Sequence, residues 1–184
     1  PPCYVSRSAE YLYGSEVKVC SVVGFPCGYA TTLSKINETG ELVASGAEEI
    51  DMVLQIGCLL EGRYQQVEDE IRQVVVEASQ VPVKVIIECA WLNSEQKTTA
   101  TNLVVNAGAA FVKTSTGFGP SGAICDDVRL LSETSAGQIG VKAAGGIRSL
   151  ADCLSFVSCG ATRIGSSSGV AIMKQWQEKV AGAE

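Results

Sequence analysis

The sequence predicts an α/β fold of the TIM-barrel type, and three observations carry that prediction. Apolar, β-branched segments alternate with segments of 3.6-residue apolar period along the whole chain, the signature of parallel strands joined by right-handed helical crossovers. Polar or charged residues recur at the carboxyl end of nearly every apolar segment, as they do where strand ends converge on the mouth of a barrel. No GxGxxG follows the first segment, which argues against an open, doubly wound sheet with one ligand site at a switch point. No linker or shift in composition divides residues 1–184, so the reading is one domain.

The strands follow in order as "VKVCSVVGF" (17–25), "EEIDMVLQIG" (48–57), "VPVKVIIECA" (81–90), "AAFVKTSTG" (109–117), "IGVKAAGG" (139–146) and "ATRIGSSSG" (161–169). Their length and β-branched content favour strand, and glycine or polar residues close each one. Helical periodicity fills the intervals from Leu33 to Ser45, Tyr64 to Ser79, Ser94 to Asn106, Cys125 to Ser135 and Leu150 to Ser158. "NSEQK" supplies a cap ahead of Glu95, and "ASGA" and "NAGA" each place a glycine just past a last turn.

Apolar residues make up 46% of the 184 and charged residues 18%, the balance of a packed domain. The longest apolar runs fall far short of the ~20 residues that span a bilayer, and no signal-peptide pattern opens the chain. A net charge of −6 without a basic cluster argues against a nucleic-acid partner. Any anion must then be held locally, against the overall field. The eight cysteines form no CxxC and the chain has no histidine, so neither a zinc site nor a histidine-based catalytic triad is expected. Cysteines set in "VKVCSVVGF" and "VIIECAW" read as small buried hydrophobes in a reducing, cytoplasmic setting.

Charges inside these apolar strands are the candidate chemistry. They are Asp51 in "EEIDMVL", Lys84 and Glu88 in "VKVIIE", Lys113 in "FVKTST" and Lys142 in "GVKAAGG". A lone buried charge is costly, and a single ion pair does not explain three lysines and two carboxylates on different strands. Paired lysines do have a chemical use. Burial and a neighbouring cation both disfavour the ammonium form and bring an amine towards neutrality. Such an amine attacks carbonyls and forms a Schiff base, an electron sink for carbon–carbon bond making and breaking. That chemistry needs no metal and no cofactor, and Asp51 is suited to move the protons. The glycine-rich "AAGGI" (143–147) and "RIGSSSG" (163–169), with "TGFG" after Lys113, offer backbone N–H groups to an anion such as a phosphate.

The segments "VCSVVGFPCG", "EEIDMVLQIG", "VKVIIE", "FVKTSTGFGPSGA", "VKAAGGIRS" and "RIGSSSG" together resemble the deoxyribose-phosphate aldolases, metal-independent Schiff-base enzymes on a TIM barrel. The resemblance covers nearly the whole chain in order. It implies Lys113 as the Schiff-base lysine, Lys142 as the cation that lowers its pKa and Asp51 as the proton relay. It also implies a phosphate site at Gly117, Gly145, Gly146, Gly165, Ser167 and Ser168, with Lys84 among the substrate-binding residues. The reaction it implies is reversible cleavage of 2-deoxy-D-ribose 5-phosphate to D-glyceraldehyde 3-phosphate and acetaldehyde. The partner is then a small phosphorylated sugar, and a homodimer is compatible. Against that family, "PPCYVSRSAEYL" reads as the end of a second strand and its helix, leaving about six strands of eight. Such a chain is expected to be a fragment, to be completed by a partner, or to be an inactive phosphate-binding remnant. A transaldolase-like Schiff-base enzyme is the other enzymatic reading of "VKAAGGI".

Overall fold

A computed structural model describes residues 1–181. A 3₁₀ turn at Pro2–Tyr4 leads into α1 (Val5–Leu12). There follow β1 (Cys20–Val23), α2 (Thr32–Ala44), β2 (Glu49–Val53), α3 (Ile56–Leu60), α4 (Tyr64–Ala78) and β3 (Val83–Ile86). The chain continues through α5 (Ser94–Asn106), β4 (Phe111–Lys113), α6 (Cys125–Ser135), β5 (Gly140–Ala144), α7 (Leu150–Ser158), β6 (Arg163–Gly165) and α8 (Gly169–Ala181). The six strands are parallel and lie in sequence order from β1 to β6. This is the curled, six-stranded part of a TIM-type barrel that the sequence predicts.

Each strand alternates, and the alternation sorts the chemistry. Ile50 and Met52, Val83 and Val85, Val112, and Val141 and Ala143 join one apolar core with the helices. Their in-between neighbours Glu49, Asp51, Lys84, Lys113, Lys142 and Arg163 share the opposite, inner face and contact one another. A side-chain period of two forces this separation. Register brings the charges level, with Asp51 opposite Lys84, and Lys113 opposite Lys142.

Caps set the helix starts. Asn93 accepts from Gln96 N while the Gln96 side chain accepts from Asn93 N, and Ser149 and Asp152 form the same reciprocal pair at α7. Helices α5, α6 and α7 have the bounds predicted from periodicity.

The strands are shorter than the apolar segments. Ile56 and Gly57 begin α3, and Cys89–Trp91 is a 3₁₀ turn. The opening residues hold no strand; Pro2, with no N–H to give a ladder, sits in the first turn instead. Cys89 is buried as expected, with Cys58 and Cys153 buried too, but Cys20, also expected inside, is exposed on the inner face of the edge strand β1. No described helix is long and apolar enough to cross a membrane.

Candidate active site

Register alone would leave Lys113 and Lys142 side by side; one carboxylate brings them together. Lys113 Nζ lies 2.7 Å and Lys142 Nζ 2.6 Å from the same atom, Asp51 Oδ2. Sharing one oxygen keeps the two amines within about 5 Å, where like charges suppress ionisation. Asp51 Oδ1 meets Lys84 Nζ at 3.0 Å, and Lys84 also meets Glu49 Oε2 at 2.8 Å. Arg163 from β6 grips both oxygens of Glu49 at 3.1 and 3.0 Å and stacks over the Phe111 ring. Four cations thus face two carboxylates on this inner face.

That imbalance separates the lysines. Burial pushes the Lys113 amine down; Asp51 opposes the shift and Lys142 adds to it, with a net fall. Burial acts on Lys84 in the same sense, but Asp51 and then Glu49 outweigh it and raise the amine above its ordinary value. Burial alone would raise the Asp51 carboxyl, yet Lys113, Lys142 and Lys84 hold it well below the usual carboxylate range. Lys84 is therefore a committed ammonium and Asp51 a committed carboxylate. Lys113 is the amine poised to give up its proton.

Lys113 and Lys142 border a cavity of about 410 Å³, whose walls include Gly117, Gly145, Gly146, Gly165 and Ser167. Glycine is required at two of these. Gly145 has φ +94° and packs against Gly122, whose own Cβ would fall 2.2 Å from Gly145 O. At Gly165 a Cβ would lie 2.9 Å from Ala144 Cβ and 3.2 Å from Lys142 Cε. Two expected binding residues lie elsewhere. Lys84, with a fully buried side chain, ends on the carboxylates and does not reach the cavity wall. Ser168 stands one residue beyond the wall, donating its amide to Ser166 Oγ.

Three polar wall residues were not named from the sequence: Thr116, Arg148 and Ser166. An arginine directly after "AAGGI" in a net acidic chain was the available signal for Arg148. Ser166 was masked by its neighbours; its hydroxyl donates to Ile147 O at 2.6 Å and ties the two glycine loops together.

Comparison with known proteins identifies the family. Residues 5–176 match the model of the DeoC/LacD family aldolases. The deoxyribose-phosphate aldolase of Streptococcus equi subsp. zooepidemicus is 54% identical over 173 residues, covering 94% of this chain and 79% of that protein. That of Streptococcus uberis is 55% identical over 172 residues, covering 94% and 78%. Among solved structures, the aldolase QR15 superposes with a TM-score of 0.95 at 38% identity, covering 100% of this chain and 82% of its own. The tetrameric deoxyribose phosphate aldolase of Aeropyrum pernix gives 0.87 at 33%, covering 96% and 75%. With the family model spanning almost the entire six-stranded unit and its lysine cluster, the chain belongs to the DeoC/LacD family of aldolases.

Proposed function

We propose that the chain is a class I aldolase that reversibly cleaves 2-deoxy-D-ribose 5-phosphate to D-glyceraldehyde 3-phosphate and acetaldehyde. The observation that carries this is the meeting of the Lys113 and Lys142 amines on one oxygen of Asp51 beside a glycine-walled cavity. The names of the relatives support the phosphorylated deoxy sugar over a transaldolase-like substrate.

Lys113, as the free amine, attacks the C1 aldehyde of the open-chain sugar to give a carbinolamine, which loses water to form the iminium. Asp51, acting directly or through water, takes the proton of the C3 hydroxyl. The C2–C3 bond breaks, its electron pair flows into the iminium, and glyceraldehyde 3-phosphate departs. The remaining enamine is protonated at carbon, and hydrolysis releases acetaldehyde and the Lys113 amine. Lys142 keeps Lys113 from holding its proton. The phosphate rests on the N–H groups of Gly117, Gly145, Gly146, Gly165 and Ser167, with Arg148 as a further cation at the wall.

The phosphate's charge confines the substrate to the compartment where it is made, which supports a cytoplasmic location. A homodimer is compatible with the unpaired outer edges of β1 and β6.

The test is chemical trapping. Acetaldehyde plus borohydride should leave a reduced adduct on Lys113, found by peptide mass spectrometry, together with measurable cleavage of the sugar phosphate. An adduct on another lysine, or none in folded protein, defeats the reading.

A further inference from the structure

Glu88 is an expensive residue with no role in the chemistry above. It follows β3, with Ile87 N donating to Lys113 O at 3.0 Å and Cys89 N donating to Thr114 O at 2.8 Å. Between these bonds Glu88 adopts φ +53°, ψ +69°, the left-handed region that non-glycine residues avoid. Its side chain is buried, yet no lysine or arginine among the described residues pairs with it. One carboxylate oxygen, Oε1, has no hydrogen-bond partner among the described residues. Three unfavourable features on one side chain call for a reason beyond packing.

The other oxygen supplies it. Glu88 Oε2 accepts from Thr116 N at 3.1 Å and from the Thr116 hydroxyl. Thr116 Oγ1 in turn accepts from Phe118 N at 3.0 Å. The amides on both sides of Gly117 are therefore occupied. Gly117 itself, at φ +90°, borders the cavity, and its N–H has no acceptor among the described residues. The loop lies flat on the carboxylate, since a Cβ at Gly119 would sit 2.9 Å from Glu88 Cδ. We propose that Glu88 is a positioning residue: by engaging both donors of Thr116 it aims the Gly117 N–H at the phosphate of the sugar. This rests on the aldolase reading above and adds a determinant of its preference for phosphorylated substrate.

The experiment compares kcat/KM for 2-deoxyribose 5-phosphate and for unphosphorylated 2-deoxyribose in wild type, Glu88→Ala, Glu88→Gln and Thr116→Val. The preference for the phosphorylated sugar should fall about tenfold or more in Glu88→Ala, chiefly through KM, as expected when a phosphate donor loses its orientation. Glu88→Gln should restore most of the preference, because its amide oxygen still accepts from Thr116. Thr116→Val should lose preference in the same direction, and it decides the matter with Glu88→Gln if the alanine variant does not fold. Equal losses on both sugars would reduce Glu88 to a structural role, and an unchanged preference in Glu88→Ala and Thr116→Val would also overturn the proposal. Borohydride trapping of acetaldehyde needs no phosphate and keeps the two readings apart. Absence of a Lys113 adduct in wild type defeats the aldolase reading, whereas a normal adduct with unchanged preference defeats only the role of Glu88.

Discussion

An alkyl ammonium ion gives up its proton near neutrality only where its surroundings penalise the charge, and Lys113 is penalised both by burial and by Lys142. Lys113→Ala should therefore abolish the borohydride adduct and lower turnover by roughly 10³-fold or more. Lys142→Met tests the second cause. Without the neighbouring cation the Lys113 amine holds its proton to higher pH, so the rising limb of kcat/KM should move up by about one pH unit. A limb that stays in place would remove Lys142 from that role. Asp51 pulls in the opposite sense, since its charge raises the Lys113 amine. Asp51→Asn should thus ease adduct formation at neutral pH while cutting turnover about 10²–10⁴-fold through loss of the proton relay. Adduct yield and steady-state rate, measured on one sample, separate these effects. The sequence brought Lys113, Lys142 and Asp51 forward because charges in apolar strands are rare. Charge in an apolar strand alone could not tell Lys84 from the others. What distinguishes Lys84 is contact with a second carboxylate, Glu49, and that depends on register and not on residue type.

Two-residue alternation in the strands explains how so many charges tolerate a packed domain. Ile50, Met52, Val83, Val85, Val112, Val141 and Ala143 pack towards the helices, while the charges of the same strands lie on the opposite face. The inner face narrows where β5 and β6 meet, and there the strands need small residues. Gly165→Ala would drive a methyl group into Ala144 Cβ and Lys142 Cε, an overpacking that typically costs about 1–3 kcal/mol. The expected outcome is a folded protein whose kcat falls about tenfold or more as Lys142 is displaced. Urea denaturation and kcat on the same preparation check both parts. Helices were the more legible elements, because Asn93 announces the start of α5 in the sequence and 3.6-residue periodicity sets the bounds of α5, α6 and α7. Strand ends were less so. "EEIDMVLQIG" and "VPVKVIIECA" stay apolar past the last ladder residue, where the chain has already turned into α3 or the 3₁₀ turn at Cys89. Composition cannot mark that turn, since both sides of it are buried.

Across the whole molecule the inner charges form one chain, from Arg163 on β6 to Glu49 on β2, then Lys84 on β3, Asp51 on β2, and finally Lys113 and Lys142. Local sequence gives little warning of the Arg163–Glu49 contact, which joins residues 114 positions apart. The linked titrations make the stability of the fold depend on pH at both ends. Glu49, raised by burial but lowered further by Lys84 and Arg163, and Asp51 both have folded pKa values below their unfolded ones. Their contribution is complete above the ordinary carboxylate range and is lost as pH falls through the lower folded values. Lys84 has the opposite sign, because its folded pKa lies above the unfolded one. Its contribution is complete below the ordinary lysine value and is lost only as pH rises through the folded one. Lys113, depressed in the folded state, favours the fold as pH climbs towards that ordinary value. Stability should therefore fall in acid and rise as pH climbs towards the ordinary lysine value. Between pH 6 and pH 2 the unfolding free energy should drop by about 2 kcal/mol on account of Asp51. Urea midpoints across this range measure the drop. Asp51→Asn should flatten it, at a cost of about 3–5 kcal/mol for leaving buried lysines without their shared anion. Glu49→Gln removes the shallower carboxylate contribution while Asp51 still anchors Lys84. A wild-type acid limb no steeper than that of Asp51→Asn would mean that Asp51 does not couple protons to folding.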